Sequence, residues 1–277
     1  MILVTGATGN IGRALVKELH ALDAGPLRGL TRDPARAVFP EGVEAVEGDL
    51  ARAASLNSAL EGVRSLFLVS RVGADADILD AAGRAGVEHV VLVSSITVET
   101  HPHLGPAGEN SAVERLLKDS GMAWTILRPT QFASNALWWA DAIRGHETVR
   151  VPYADVGLPT IHPADIASVA RVALTEPGHR ERTYALTGPE RITARQQVEA
   201  IAAVLGRDVP VAEISREEAH RGMAAFLGDE AAEAVLDLTG GDLNDELLTV
   251  RDTVSRITGS PARAFLEWAS ENAAAFA

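Results

Sequence analysis

The amino-acid sequence predicts an α/β fold, in which a doubly wound parallel sheet is joined to a smaller and mostly helical C-terminal region. Short apolar strands alternate with segments of helical period over the first 130 residues, which is typical of a parallel sheet covered on both faces. Gly62, Gly86 and Gly121 each stand where a helix should end, a few residues before the next strand. From Thr193 onward the pattern is mostly helical.

Local patterns predict the individual elements in turn. An apolar strand at residues 1–4 leads into a helical pattern at residues 14–19. Further strands are predicted at residues 27–30, 43–46, 65–69, 89–93 and 124–127, with helices at residues 51–60, 75–85 and 111–120. After Pro129 we expect a Trp-containing segment at 132–143, a strand at 149–151, a helix at 163–174 and a strand at 183–186.

Composition excludes several classes of protein. The 277 residues are 47% hydrophobic, enough for a full core, and no cysteine is present, which excludes disulfides, thiolate metal sites and a Cys nucleophile. We therefore predict no metal site. A net charge of -13 argues against nucleic acid as a partner. No apolar stretch is long enough to span a bilayer and no basic targeting segment precedes the first strand, so we expect no membrane partner and a cytoplasmic location.

A glycine-rich turn links the first strand to the first helix. Gly6, Gly9 and Gly12 follow the strand directly, and a second strand returns at residues 27–30, as in a βαβ unit. Helix N-termini collect unpaired N–H groups, and glycines let a pyrophosphate approach the backbone. The turn therefore predicts a dinucleotide cofactor on a Rossmann-type sheet, with an ordinary tight turn as the alternative.

The tip of the second strand indicates which dinucleotide is bound. Arg32 can contact a 2′-phosphate, and Arg13 beside the glycine turn is placed to reach the same group. Asp33 leaves NAD(H) open, although its position before Pro34 is more typical of a helix N-cap. We predict that NADP(H) is preferred over NAD(H).

Several motifs together resemble the NmrA-like group of atypical short-chain dehydrogenases, over about residues 1–215. The resemblance is carried by TGATGNIG at 5–12, EGDL at 47–50, LVSS at 92–95, Glu114 with Ser120-Gly121, WTILRP at 124–129 and IHPADIA at 161–167. Members have a Rossmann-type sheet. They include NAD(P)H-dependent reductases of quinones and other unsaturated or carbonyl substrates, and redox sensors that bind NAD(P) without known turnover.

The alternation of strands and helices predicts two regions, and the resemblance implies which residues contact the cofactor. Residues 1–130 would form the NAD(P)-binding domain, and residues 131–277 a substrate-covering region interleaved with the last strands. The implied pyrophosphate contacts are Gly6, Thr8, Gly9, Asn10, Ile11 and Gly12, with Arg32 on the 2′-phosphate. The implied adenine, ribose and nicotinamide contacts are Asp49, Leu50, Val69, Ser70, Arg71, Ser94, Ser95, Pro129, Thr130 and Gln131. For Ser94 and Ser95, capping of the following turn is the alternative.

The chain departs from catalytic short-chain dehydrogenases, which protonate a carbonyl with a Tyr followed four residues later by a Lys. Lysine occurs only at 17 and 118 and tyrosine only at 153 and 184, so that pair is absent, and Asn110 and Glu114 occupy its positions. The catalytic residues are therefore unknown from sequence. His101 and His103, in a loop after Ser95, are candidates for a proton donor, as is Glu114 for a substrate or ribose contact. Exposed loop histidines and a structural salt bridge are the alternatives.

An aromatic cluster follows the sixth predicted strand. Phe132, Trp138, Trp139 and Tyr153 stand where a lid over the nicotinamide should form, although only 4% of the chain is aromatic. Together with Gln131 they predict a flat, apolar substrate, and packing into a second core is the alternative. Further along, His162 is predicted to close the substrate cavity and Asp165 to cap or orient a helix start.

The sequence thus predicts an NADPH-dependent oxidoreductase of an apolar quinone, enone or carbonyl small molecule. A dinucleotide-binding redox sensor without turnover is the alternative, and a non-redox reaction on the same scaffold stays open while the proton donor is unidentified. A small-molecule substrate is the partner we expect; the oligomeric state is left open.

Overall fold

The computed structural model describes residues 1–69 and 74–277. Its strands, in chain order, are β1 Ile2–Val4, β2 Leu27–Thr31, β3 Glu44–Glu47, β4 Ser65–Val69, β5 His89–Val93, β6 Ala123–Pro129, β7 Val149–Val151, β8 Gly157–Leu158, β9 Arg182–Leu186, β10 Ile192–Thr193 and β11 Val211–Glu213. Within the described residues, β3-β2-β1-β4-β5-β6-β9 form one seven-stranded sheet, and every pairing in it is parallel. The predicted fold class is confirmed.

The α-helices are α1 Asn10–Ala21, α2 Asn57–Leu60, α3 Asp75–Arg84, α4 Thr97–Thr100, α5 Gly105–Asp119, α6 Ala140–Arg144, α7 Pro163–Thr175, α8 Ala194–Leu205, α9 Arg216–Leu227, α10 Asp229–Leu236, α11 Asp245–Leu248, α12 Thr253–Thr258 and α13 Phe265–Glu271. Short 3-10 turns at Pro34–Arg36, Ala53–Leu56, Ala133–Trp139 and Ala273–Ala275 and a π turn at Asp237–Gly241 connect them.

The sheet is wound on both faces because its strands are apolar on both sides. On one face α1 and α7 pack against the strands, with Leu15 and Ile166 fully buried between them. On the other face α2, α3 and α5 form a second core around Ile78 and Leu117. Strand order reverses between β1 and β4, so the chain leaves a crevice at the carboxyl ends of these strands, where ligands bind in open α/β sheets.

The residues after 130 contribute to the sheet and also build a core of their own. Strand β9 pairs with β6, and α7 packs on α1. A third core lies apart from the sheet, where β7 pairs with β11 and α8 and α13 pack together around Ile143, Ile201 and Trp268. The helices α9 and α10 form a hairpin, in which Ala219 is the buried residue of α9.

Most predicted elements are confirmed, with differences at their ends. Gly62, Gly86 and Gly121 follow α2, α3 and α5 with φ of +72°, +82° and +79°, as helix-ending glycines should. The helix predicted at 111–120 begins earlier, at Gly105, because Pro106 occupies its first turn. The helix predicted at 51–60 is instead a 3-10 turn followed by α2. Within the described residues, no helix is long and apolar enough to cross a membrane.

Candidate functional site

The glycine turn is shaped as a cradle for phosphate at the N-terminus of α1. Gly6 has φ +58°, and the Gly9 N–H donates to the Gly6 carbonyl at 2.9 Å. A Cβ on Gly12 would overlap the backbone of Gly6 and Ala7, so only glycine lets the helix lie this close to the loop. In the described part of the chain, no side chain caps α1. Its first-turn N–H groups are therefore available to an anion.

A central cavity of about 450 Å³ opens at the carboxyl ends of β4, β5 and β6. Its walls bring together predicted contacts from separate strands, namely Val69, Ser94, Ser95, Pro129, Thr130, Gln131 and Phe132. Within the part of the chain that the structure describes, the Thr130 hydroxyl is buried and makes no hydrogen bond. Because a buried hydroxyl without a partner is costly, this atom fits a polar ligand group in the cavity.

A separate cavity of about 300 Å³ at the tip of β2 includes Arg32 and Asp49, and we call it the adenosine-end cavity after the predicted contacts of these residues. Arg32 is exposed, and no carboxylate among the described residues pairs with it. The Asp49 carboxylate accepts hydrogen bonds from the Ala51 N–H at 3.0 Å and from Arg52 Nε at 3.3 Å. Leu50 is buried in the second core.

Arg13, which is predicted to reach the same group as Arg32, does not line the cavity that contains Arg32. The guanidinium of Arg13 donates to the Thr8 carbonyl at 3.0 Å and lines a different cavity, beside Gly9 and Asn10. The reason is the direction of α1, which carries Arg13 to the side facing α7. Thr8 and Ile11 belong to the same turn, and Ile11 is buried against the sheet. Ser70 and Arg71 lie outside the described residues.

Glu114 lies in a buried network rather than free toward a substrate. Its side chain is 3% exposed, and it accepts two hydrogen bonds from Arg128, Nε to Oε1 at 2.9 Å and Nη2 to Oε2 at 2.7 Å. Ser94 Oγ donates to the same Oε1 at 2.7 Å. The hydrogen bond from Arg128 to Glu114 raises the pKa of the guanidinium above its ordinary value. In this structure Glu114 therefore forms a structural salt bridge, which was the alternative to a substrate or ribose contact.

Ser94 and Ser95, at the end of β5, have different hydrogen-bond partners. The Ser94 proton is donated to Glu114, so toward the cavity this hydroxyl can only accept a hydrogen bond. Ser95 Oγ accepts from the Thr97 N–H at 3.2 Å and from Thr97 Oγ1 at 2.9 Å, which closes the turn that leads into α4. The capping alternative is thus seen at Ser95, which also lines the central cavity.

A side cavity of about 240 Å³ adjoins the central cavity. Five residues line both, namely Gln131, Phe132, Asn135, Val235 and Leu238. Trp138, Trp139 and Tyr153 complete an apolar wall, and Trp138 is 61% exposed at its mouth. Trp139 also packs against the third core, so both interpretations of the aromatic cluster hold for it.

The histidine candidates lie away from both cavities. His101 was predicted in an accessible loop, but it is fully buried, with Nε2 at 2.7 Å from the Asp242 carbonyl. His103 is exposed beside the Asp242 carboxylate at 3.4 Å. Neither lines the central or the side cavity. The C-terminal segment that covers His101 comes from far along the chain, so no local pattern reveals it.

His162 and Asp165 also differ from their predicted positions. His162 caps α7, with Nδ1 accepting from the Ala164 N–H at 3.0 Å, and it lines the cavity beside Gly9 rather than the side cavity. Its Nε2 lies 3.3 Å from Glu271 but in an orientation that makes no hydrogen bond. Burial lowers the pKa of His162. Asp165 was predicted to cap or orient the helix start, but it binds Arg263, whose N–H donates to it at 2.8 Å.

The residues of α9 and α10 that line the two cavities are not predicted by any motif in the sequence. Leu227, Ala231, Ala234 and Val235 of the hairpin α9–α10 line the central cavity, and Met223 lines the side cavity. The signal that was present is the pair Gly240-Gly241, an unusual turn within an otherwise helical stretch. Among the described residues, no group of three or more His, Asp or Glu side chains is placed to bind a metal ion.

Comparison with known proteins places this arrangement in a family. The model of the NAD(P)H-binding family matches residues 6–177. The chain is 40% identical to a (4-alkanoyl-5-oxo-2,5-dihydrofuran-3-yl)methyl phosphate reductase of Streptomyces griseus, with 100% of this chain and 99% of the relative covered. It is 36% identical, over the same shares, to an NAD(P)H azoreductase of Xenophilus azovorans.

A solved structure agrees in fold over almost the whole chain. The NADPH complex of the NADPH-dependent quinone oxidoreductase 2 of Escherichia coli superposes with a TM-score of 0.81 at 29% identity, covering 98% of this chain and 99% of that one. The chain belongs to the NAD(P)H-binding family of Rossmann-type proteins. Within that family it is an NAD(P)H-dependent reductase of the atypical short-chain dehydrogenase, NmrA-like type, as the motifs predicted.

Proposed function

We propose that this reductase transfers reducing equivalents from NADPH to a flat, apolar acceptor such as a quinone or an enone, without a Tyr/Lys pair. The observation that carries the proposal is the joined pair of cavities. The central cavity lies where the nicotinamide of a Rossmann-bound cofactor is expected, and it shares five wall residues with the aromatic side cavity. A planar ring bound in the side cavity would therefore lie next to a nicotinamide bound in the central cavity.

Among the described residues there are suitable contacts for the pyrophosphate, the 2′-phosphate and the nicotinamide of NADPH. The uncapped start of α1 would hold the pyrophosphate, and Arg32 would hold the 2′-phosphate at the adenosine end. Thr130, Ser94 and Val69 would surround the nicotinamide, where the orphaned Thr130 hydroxyl gains a partner. On this basis we propose that residues 1–130 bind the cofactor and that residues 131–277 cover the substrate.

Bound NADPH supplies the two electrons and the hydrogen that the acceptor takes up. The chain's own contribution is to orient the acceptor and keep water out. Phe132 and Trp138 offer aromatic faces to a ring, worth about 1 kcal/mol beyond area burial. The hairpin α9–α10 covers the central cavity with Leu227 and Val235, and Leu238 of the following π turn lines both cavities. Glu114 is committed to Arg128 and takes no part in proton transfer.

The relatives are consistent with this substrate class. Their names specify a dihydrofuran phosphate, an azo compound and a quinone. All three are unsaturated acceptors, and two of them are specified without any charged group.

The test is a parallel measurement of binding and turnover. NADPH and NADH are titrated separately by fluorescence, and loss of the reduced nicotinamide absorbance is then followed with 1,4-naphthoquinone, an azo dye, 2-cyclohexenone and its saturated counterpart cyclohexanone. We expect tighter binding of NADPH and turnover of the conjugated acceptors but not of cyclohexanone. Reduction of cyclohexanone at a comparable rate, or tight NADPH binding with no acceptor reduced, would contradict the proposal.

A further inference from the structure

Two residues that are far apart in the sequence meet at the side cavity. Arg216, the first residue of α9, donates from Nη1 to the Tyr153 hydroxyl at 3.2 Å. Tyr153 lies in the loop after β7 and lines the side cavity. A phenol oxygen that accepts a hydrogen bond from a guanidinium keeps its own O–H free to point elsewhere. No other partner of the Tyr153 hydroxyl is found among the described residues.

The backbone around the Tyr153–Arg216 contact is shaped to accommodate it. Tyr153 has φ +51°, a left-handed conformation that is costly for a residue with a bulky side chain. A Cβ on Gly240 would overlap the Tyr153 ring, and a Cβ on Gly241 would overlap the Arg216 guanidinium. Gly240 in the π turn therefore leaves room for the Tyr153 ring, with Gly241 beside the end of the Arg216 side chain. Arg216 is held in turn by Glu233 and by Asp237, the latter at 2.8 Å.

Among the described side chains that line the two cavities, Tyr153 carries the most acidic proton that is not already donated. Among the described residues of both linings there is no His, Asp, Glu or Lys, and Arg150 is paired with Glu218. The Ser94 proton is already donated to Glu114. Tyr153 is the one phenol. The hydrogen bond to Tyr153, followed by those to Asp237 and Glu233, raises the pKa of Arg216, so the guanidinium beside the phenol oxygen stays protonated.

We propose that Tyr153 is a catalytic residue that anchors the carbonyl oxygen of a conjugated acceptor and protonates it, with Arg216 as its positioning residue. This rests on the proposed function and narrows its substrate to acceptors whose oxygen is separated from the reduced carbon by a conjugated bond. In such an acceptor the carbon that is reduced can lie in the central cavity while the oxygen reaches the side cavity. In a simple ketone the reduced carbon and the oxygen are directly bonded, so they cannot lie in separate cavities.

The step balances for an enone. A C–H bond forms at the β-carbon with the two electrons and the hydrogen that NADPH supplies, and NADPH becomes NADP⁺. The C=C bond shifts toward the carbonyl, and the carbonyl oxygen takes the phenolic proton of Tyr153 as the Tyr153 O–H bond breaks. The phenolate stands against the Arg216 charge until solvent returns a proton, and the enol product rearranges to the saturated ketone.

Tyr153→Phe tests the proposal, because it keeps the ring against Gly240 and removes only the hydroxyl. We expect kcat for 1,4-naphthoquinone to fall by about 100-fold, as for loss of a general acid. We also expect Kd for the quinone on the NADP⁺-loaded protein, read from tryptophan fluorescence, to rise by about 5-fold, as for loss of one hydrogen bond. Tyr184→Phe is the matched control, since the other tyrosine binds His179 at 2.9 Å and lines neither cavity. Its kcat and Kd should stay at the wild-type values.

The double variant separates a positioning role from a structural one. If Arg216 acts through Tyr153, then Arg216→Met lowers kcat by about 10-fold in the wild type and by nothing further in Tyr153→Phe. The positioning role of Arg216 would be overturned if the losses in kcat of the two single variants add in the double variant. It would also be overturned if the losses in kcat follow a loss of thermal stability that the variants share. An unchanged kcat and Kd in Tyr153→Phe would overturn the assignment of Tyr153 itself.

The two proposals fail in distinguishable ways. If the wild type binds naphthoquinone but reduces no acceptor, the proposed function is wrong. In that case the quinone Kd still decides the anchoring role, which a weaker Kd in Tyr153→Phe supports and an unchanged one overturns. If the wild type neither binds nor reduces any conjugated acceptor, both proposals fall.

Discussion

Glu114 and Arg128 form a two-point ion pair, in which Nε and Nη2 of Arg128 donate to the two carboxylate oxygens of Glu114. The pair joins α5 to β6 and orients Ser94 at the end of β5. Side-chain exposure is 3% for Glu114 and 16% for Arg128, so neither charge is well solvated. The two charges satisfy each other inside the fold, and neither Glu114 nor Arg128 lines the central or the side cavity.

Removing Glu114 should destabilise the protein strongly. Glu114→Ala leaves the Arg128 guanidinium buried without its main partner, which typically costs about 3 to 5 kcal/mol. Urea denaturation at neutral pH measures the loss in free energy of unfolding. As a control, Glu217→Ala breaks the exposed pair with Arg221 and should cost less than about 0.5 kcal/mol. Equal losses in the two variants would contradict this account of the buried pair.

Arg32→Ala should remove the preference for NADPH. Loss of a charge-assisted contact to the 2′-phosphate is worth about 1.5 to 3 kcal/mol, so NADPH should bind about 10- to 100-fold more weakly while NADH is unaffected. Separate fluorescence titrations of the two cofactors measure this. Arg36→Ala is the control, because Arg36 is exposed in the next turn and does not line the adenosine-end cavity. A variant that loses affinity for both cofactors equally would show that Arg32 does not read the phosphate.

Trp138→Ala should weaken binding of a planar acceptor. The ring stands 61% exposed at the mouth of the side cavity, so its loss removes a stacking face without opening the core. About 1 kcal/mol of lost stacking raises KM for 1,4-naphthoquinone by about 5-fold, with kcat little changed. The matched control is Phe226→Ala, an aromatic residue that is 90% exposed and lines neither cavity. If both variants shift KM alike, the side cavity is not the acceptor site.

His89 should make the protein less stable in mild acid. Burial, together with Arg180 and His179, lowers the pKa of His89 from 6.5 to about 4. Between pH 6.5 and 4 the unfolded chain protonates His89 and the folded chain does not. The contribution of His89 to the free energy of unfolding is therefore full above pH 6.5 and is lost as the pH falls toward 4. The full difference corresponds to about 3 kcal/mol. Burial of His162 acts in the same direction.

A substitution isolates the contribution of His89. The ring bonds to Thr125 Oγ1 at 2.9 Å, and a glutamine at this place can keep a hydrogen bond without titrating. His89→Gln should therefore flatten the decline of the urea midpoint between pH 6.5 and 4.5, leaving the part due to His162. His20→Gln, at an exposed position of α1, should leave the slope unchanged. An unchanged slope in His89→Gln would locate the acid sensitivity elsewhere.

The sequence predicted what depends on neighbours along the chain. Asp33 was expected to be an N-cap before Pro34, and its carboxylate does accept from the Ala35 N–H at 3.1 Å. At the start of α7 the same logic chose the wrong residue, because His162 caps the helix and Asp165 is drawn to Arg263. A cap is a contact over two or three residues, whereas an ion pair with a residue 98 positions away is not encoded locally.

The sequence by itself determined the α/β architecture, the glycine cradle, the cofactor class and the absence of a Tyr/Lys pair. Hydrophobic period, turn chemistry and residue spacing act over a few residues, so a single chain carries them in full. Only the tertiary structure decided which side chains meet. Glu114 with Arg128, His101 with the Asp242 carbonyl and Tyr153 with Arg216 are brought together by the tertiary fold from positions that are 14, 141 and 63 residues apart. Those partnerships decide which polar groups are already satisfied and which remain free to act on a ligand.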